Sequence, residues 1–353
     1  MRLGLGLIGA VLCAMIVVTL ALTSGAFGTS TAAAQVLLDT GSVVGESQDD
    51  LAVYRGIPFA QAPVGELRWT PPRPLPVSDQ QLNTADYGAR CWQAPRAQDS
   101  APMSEDCLFL NVWAPDSETS EALPVMVWVH GGGFRAGHGE VSGEAIARHG
   151  VVVVSFNYRL GPLGFFAHAK SETPVANLAV LDMAAALGWV RDNIAAFGGD
   201  PDQVTIFGVS AGAMAVEMLM VAPQARGLFH GAIAQSGYAT WPLPRTPNVS
   251  GTIPRGIDLG PAADAQAITK SVLDAGGGMD TADLTLAQLR ELSAEALVNA
   301  YEGFQLPIVD GVTLLEEPGL MFLSGQQAPV PFLTGGNSHE GTVMPGSGVD
   351  SAE

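Results

Sequence analysis

The chain has 353 residues, 47% of them hydrophobic and only 14% charged, enough to bury a large core in one big α/β domain or two smaller ones. That composition excludes a disordered or collagen-like chain. The formal net charge is -19, the sequence pI is about 4.5, and only Lys170 and Lys270 among the sixteen basic residues are lysines; such acidity excludes nucleic acid as a partner, because phosphates need a basic footprint, and otherwise serves solubility.

Arg2 precedes an apolar run from Leu3 to Leu22 and a small-residue stretch ending at Ala32-Ala33-Ala34, the order of a secretory signal. Residues 1–34 are therefore expected to direct export, to a secreted or periplasmic location, with cleavage after Ala34 or Ala26. The competing reading is an uncleaved anchor, since the run approaches the ~20 residues that span a bilayer. Cys13 lies inside this segment. Cys91 and Cys107 remain as an even pair in an oxidising compartment, either bridged or left as two buried thiols. A bridge there would stabilise the fold by about 3 kcal/mol on the chain-entropy model.

Beyond the signal, short β-type runs alternate with helical patterns. Leu123-Pro-Val-Met-Val-Trp-Val129 predicts a buried strand running into His130-Gly-Gly-Gly133, and Val151-Val-Val-Val-Ser-Phe156 predicts another. Leu181, Ala185 and Trp189, continued by Val190, Ile194 and Phe197, mark a helix that should stop at Gly198-Gly199. Val204-Thr-Ile-Phe207 predicts a strand, and the apolar run from Ala211 to Val221 a helix. This alternation predicts a parallel sheet covered on both faces. Pro242 to Pro261 reads as a surface excursion. Thr285 and Gln288 are placed as a capping box for a helix carrying Leu289 and Leu292, and Val330-Pro-Phe-Leu333 is the last predicted strand.

Two motifs carry chemistry. Gly208-Val-Ser210-Ala-Gly212 fits G-x-S-x-G between a predicted strand and a predicted helix, the setting that lifts a serine onto a sharp turn and aims a helix N-terminus at a developing oxyanion. His130-Gly-Gly-Gly-Phe134 also follows a strand, upstream of that serine. Its glycines let backbone N–H groups approach a tetrahedral intermediate, with donors from Gly132 and Gly133 joined by Ala211. A flexible glycine turn and a chance G-x-S-x-G are the plainer alternatives.

At these residues the sequence resembles the type-B carboxylesterase family, which includes the cholinesterases. The resemblance is dense from about Gly45 to Gly341. It also rests on Gly56-Ile-Pro-Phe-Ala60, Pro63-Val-Gly-Glu-Leu-Arg-Trp69, Ser104-Glu-Asp-Cys-Leu-Phe-Leu-Asn-Val-Trp113, Asn157-Tyr-Arg-Leu-Gly-Pro-Leu-Gly164, Trp189-Val-Arg-Asp-Asn-Ile-Ala-Ala-Phe-Gly-Gly-Asp-Pro201 and Leu228-Phe-His-Gly-Ala-Ile-Ala-Gln-Ser-Gly237. It implies an α/β-hydrolase fold over residues 35–353, a mostly parallel sheet covered by helices, with the last strand and the C-terminal helices expected to be missing. It implies serine carboxylesterase activity on a small-molecule ester, with Ser210 as nucleophile, no metal and no cofactor. Gly335-Gly-Asn-Ser-His-Glu-Gly341 matches the family's acid loop and would make Glu340 the triad acid, although a solvated surface glutamate is the plain alternative. Cys91 with Cys107 would correspond to the family's first disulfide, and Arg68 with Glu105 to an ion pair bracing the N-terminal region.

The expected order is Ser, acid, then His, yet no histidine follows Glu340. His130 belongs to the glycine turn, His339 abuts the acid, and His149, His168 and His230 fall in ordinary contexts. His138 could line the pocket. A serine without its base loses several powers of ten in rate, so the sequence is expected to be an incomplete esterase. The competing readings are an inactive remnant of a broken gene and a non-catalytic binding protein of the same fold. Val209 stands where the family usually has an acid. Ala179, Met183 and Ala213 also depart from the pattern, and affect preference rather than reaction class. The oligomeric state is not legible.

Overall fold

The computed structural model describes residues 35–94, 101–116, 121–247, 249, 263–301, 305–338 and 340. The expected signal at 1–34, His339, and residues 248 and 250–261 of the expected excursion lie outside them. Among the described residues, eight strands form the central sheet: β1 (Glu46–Gln48), β2 (Leu51–Pro58), β3 (Phe109–Pro115), β4 (Leu123–Val129), β5 (Val152–Phe156), β6 (Gly199–Val209), β7 (Gly231–Gln235) and β8 (Phe332–Gly335). Their order across the sheet is β8-β7-β6-β4-β5-β3-β2-β1. From β5 to β8 every pairing is parallel, while β1, β2, β3 and β5 pair antiparallel.

Burial on both faces is complete only at the centre of the sheet, and the edge strand β8 is exposed along its length. All five residues of β5 are buried, as a Val-rich strand under two helical layers should be. The chain places β5 on one side of β4 and then crosses over to lay β6 on the other side. The crevice beyond the carboxyl ends of β4 and β6 is thus a topological switch point, where open α/β sheets bind ligands.

The long helix predicted before Gly198 is α1 (Leu178–Asn193), followed by a 3-10 turn and closed by Gly198 at φ 79°. Ala179 and Met183 lie inside α1, fully buried. The next helix, α2 (Ala211–Val221), is buried at every residue, the expected fate of a helix apolar at every position but Glu217. Four more follow: α3 (Ala265–Gly277), α4 (Leu286–Arg290), α5 (Ala294–Ala300) and α6 (Pro318–Leu323). The capping box at α4 has both of its hydrogen bonds, and Leu289 is buried, while Leu292 lies just past the helix end. Among the described residues no helix is long and apolar enough to cross a membrane.

Two expectations need correction. The last strand begins at Phe332 rather than Val330, because Pro331 has no N–H for the ladder and offers only its carbonyl to Ala232 N at 3.0 Å. In the expected surface excursion, Leu243, Pro244 and Arg245 are buried. Arg245 N and O bond to Ala263 and Ala265, Val309 N bonds to Pro244 O, and the Arg245 guanidinium pairs with Glu316 and Glu317.

Candidate active site

Strand β6 ends at Val209 and α2 begins at Ala211, so Ser210 alone makes the turn, at φ 58° and ψ -126°. Such a backbone is strained for a residue with a side chain and is held only where its surroundings fix it. Here Ser210 N donates to Gln235 O at 2.9 Å, and Ser210 O accepts from Met214 N at 3.0 Å. The flanking glycines have a steric cause. A Cβ on Gly208 would lie 2.6 Å from the carbonyl of Gly212, and one on Gly212 would lie 2.2 Å from Val129 O. The serine is exposed at the positive end of an eleven-residue helix.

The glycine-rich turn leaves the end of β4 beside it. A Cβ on Gly131 would meet Val209 O at 2.6 Å and the Ser210 Cβ at 3.5 Å, so the turn and the serine are in contact. Gly132 and Gly133 have φ of 115° and 64°, and a Cβ on Gly132 would fall 2.1 Å from Ala136 O. Among the described residues their N–H groups meet no backbone acceptor. Ala136 N donates to Gly132 O at 3.1 Å and Gln305 N to Gly133 O at 3.2 Å, which fixes the turn from below and from the side. His130 is structural. Its ring stacks on Tyr158 at 4.1 Å, its Nδ1 donates to Gly131 O at 2.9 Å, and burial pushes it down to about 4, so it stays neutral.

Glu340 follows β8. Its Oε1 accepts from Ser236 Oγ, from Asn337 N at 2.7 Å and from Asn337 Nδ2 at 3.0 Å. The Ser236 hydroxyl, and after it the Asn337 N–H, hold its carboxyl below the ordinary value. Ser236 N donates in turn to Gly335 O at 2.6 Å. Ser210 and Glu340 therefore hang on consecutive residues at the end of β7, Gln235 and Ser236. Ser236 was missed by sequence reading, which saw it only as one letter of a family-like stretch.

The other histidines are accounted for by their surroundings. His168 stacks on Phe166, and its Nδ1 accepts from Lys170 N at 3.1 Å. His230 Nδ1 accepts from Val204 N at 3.3 Å, at the start of the sheet's far end. His149 is exposed after a short helical turn, and His138 is half-buried near His130. Among the described residues no group of three His, Cys, Asp or Glu is arranged to hold a metal ion.

Cys91 and Cys107 form a disulfide with a Cα separation of 4.9 Å, rather than two free thiols. Arg68 and Glu105 form a bidentate pair, one bond at 2.6 Å, with side chains only 9% and 16% exposed. A second buried pair, unread in the sequence, joins Arg159 to Asp182 on α1 through Nε at 2.8 Å and Nη2 at 2.7 Å. Near the glycine turn lies a largely apolar cavity of about 210 Å³, with Phe165, Leu243, Ile268, Tyr301, Gln305 and Leu306 in its wall.

Comparison with known proteins gives a family match over residues 32–352, to the model described as the carboxylesterase family. The chain is 39% identical over 341 residues to the para-nitrobenzyl esterase of Bacillus subtilis (strain 168), covering 89% of this chain and 64% of that protein. It is 39% identical over 308 residues to the fumonisin B1 esterase of Sphingopyxis macrogoltabida, covering 84% of this chain and 54% of that protein. A solved structure of PNB esterase superposes with a TM-score of 0.75 at 37% identity, over 90% of this chain and 66% of that one. The chain spans between about half and two thirds of the length of these relatives.

Proposed function

The chain belongs to the carboxylesterase family, and from that premise we propose that it hydrolyses esters of small molecules through an acyl-enzyme on Ser210. In this reading Ser210 Oγ attacks the ester carbonyl and gives its proton to a histidine. The N–H groups of Gly132, Gly133 and Ala211 receive the oxyanion, and each such donor typically contributes about 3 kcal/mol to barrier lowering. The tetrahedral intermediate expels the alcohol, which takes the proton back from the histidine, and water then releases the acid by the same steps in reverse order. Glu340 is the proposed orienting acid, with Ser236 and Asn337 holding its carboxylate. The family order places the base after the acid, and none of the six histidines stands after Glu340. The cavity beside Gln305 offers room for the apolar part of the ester.

One observation carries this reading: Gly131 lies so close to Val209 and Ser210 that no Cβ fits between them, which sets the glycine turn and the strained serine side by side at the switch point. Export forms part of the proposal, supported by the order of residues 1–34 and by a disulfide that suits an oxidising compartment. The test is hydrolysis of short p-nitrophenyl esters, and fluorophosphonate labelling, by a chain that includes a histidine-bearing loop. Ser210→Ala is expected to abolish both; hydrolysis that persists in that variant overturns the assignment.

A further inference from the structure

Helix α2 carries one ionisable side chain, Glu217, two turns beyond the serine, and it is only 9% exposed. Its Oε2 accepts from Ala239 N at 3.0 Å. Its carboxyl is pressed against Gly237 so closely that a Cβ there would lie 2.5 Å from Oε1 and 2.6 Å from Oε2. Among the described residues no cation pairs with it. The segment it touches, residues 235–239, is the one that holds both parts of the proposed site: Gln235 O accepts from Ser210 N, and Ser236 Oγ donates to Glu340. On its other side, Ala239 O accepts from Gly319 N of α6 at 3.2 Å.

We propose that Glu217 is a proton-responsive positioning residue, whose neutral carboxyl clamps the Gln235–Ala239 segment against α2 and whose ionisation loosens it. The inference rests on Ser210 and Glu340 belonging to one site for its functional meaning, though not for its physical test. A buried carboxylate with one backbone N–H and no cation is poorly compensated, so its charged form favours opening toward water. Burial accordingly pushes this carboxyl up to about 7, against a smaller opposing effect of the Ala239 N–H. The titratable group facing it from the segment itself is Tyr238, whose hydroxyl burial pushes up to about 12, so it stays neutral. Helix α6 carries no ionisable side chain, and Glu317 just before it is tied to Arg245; α1 carries Asp182, tied to Arg159, and Arg191 and Asp192, paired with each other. Strands β4 and β7 and the turn Pro223–Ala225 carry none, and Asp200 and Asp202 of β6 stand at that strand's beginning.

The sign follows from which state binds the proton. Between about 4.5 and 7 the folded chain holds this proton and the unfolded chain does not, so the contribution is full below about 4.5 and is lost as the pH rises through about 7. Glu217→Gln keeps the shape and the acceptor for Ala239 N but removes the titration. Between about pH 5 and pH 8 the unfolding constant of the wild type is expected to rise about 70-fold more than that of Glu217→Gln, measured by urea unfolding of the full chain. Protection of the Ala239 amide from hydrogen exchange, corrected for intrinsic rate, should fall over the same range in the wild type and stay level in the variant. A carboxylic-acid infrared band should stand in the wild-type-minus-variant difference at about pH 5 and be gone from it by about pH 8. Parallel unfolding and exchange curves for the two proteins, or a difference band that titrates near the ordinary carboxyl value, would overturn the proposal even if Glu217→Gln were less stable throughout. None of these readouts depends on ester hydrolysis, so failure of the esterase reading leaves them intact and distinguishable.

Discussion

Gly212→Ala tests whether the close approach of α2 to β4 sets the geometry around Ser210. The added Cβ would stand 2.2 Å from Val129 O, 2.9 Å from His130 C and 3.0 Å from His130 O, all of them backbone atoms of the strand and turn that carry Gly132 and Gly133. An ordinary contact needs more than 3.4 Å, so the start of α2 and the end of β4 must part by about 1 Å. Overpacking of this kind costs roughly 1–3 kcal/mol, with the upper end expected because no flexible side chain can yield. The displacement falls on Ala211 N, one of the three proposed oxyanion donors, and a shift of about 1 Å typically costs ~10²-fold in rate. Gly188→Ala is the matched control: Gly188 lies inside α1 with nothing within 4 Å of its added Cβ, so this change should stabilise the chain by up to about 1 kcal/mol. Urea unfolding reads both variants, and fluorophosphonate labelling of Ser210, in a chain that includes the histidine, reads the geometry. If Gly212→Ala unfolds and labels like Gly188→Ala, the tight approach does not set the site and the reasoning fails.

Two buried ion pairs give further predictions. Asp182→Asn leaves the Arg159 charge, 4% exposed, without its carboxylate, which should cost about 3–5 kcal/mol in urea unfolding; the double replacement Arg159→Met with Asp182→Leu should cost clearly less. A loss below about 1 kcal/mol for Asp182→Asn would mean that Thr70 O and the remaining amide suffice for the guanidinium. In a double-mutant cycle, Arg68→Ala and Glu105→Ala should show a coupling of about 1–3 kcal/mol, given the bidentate geometry and low exposure of the pair. Strictly additive losses would show that the pair braces nothing.

What the sequence made legible was local. The serine elbow, the helical stop at Gly198 after α1 and its 3-10 turn, and the capping box of α4 each depend on a few consecutive residues, and each stands where the pattern put it. What it hid was decided by partners far along the chain. The segment after Pro242 has a turn-like composition, yet Arg245 is drawn inward by Glu316 and Glu317, about seventy residues on. Ser236 differs in no way, as a letter, from the other serines, and only the pairing of β7 with β8 brings it to Glu340. Glu217 interrupts an apolar run, which periodicity treats as noise. Its meaning comes from Gly237 and Ala239, twenty residues later and on another element.

Backbone strain adds a reason, independent of the side chains, for placing the chemistry at the switch point. Five described residues other than glycine have φ between 54° and 59°: Asp49, Trp69, Phe134, Ser210 and Ser236. Asp49 turns the hairpin between β1 and β2, and Trp69 is fixed by its indole N–H to Pro162 O at 2.9 Å and by stacking on Phe166. The other three follow the carboxyl ends of β4, β6 and β7, neighbours in the sheet. Each such residue costs about 1–3 kcal/mol and persists only where its surroundings over-determine it. The surroundings do so here: Phe134 is fully buried, with its carbonyl bonded to Gly161 N at 2.7 Å, Ser210 is tied to Gln235, and Ser236 is tied to Gly335. Strain spread at random over the chain would not collect at three adjacent strand ends. For the proposed site this means that the glycine turn, the serine and the Glu340 anchor would already be held in uncommon conformations, so little of the proposed reaction's barrier would go into ordering them.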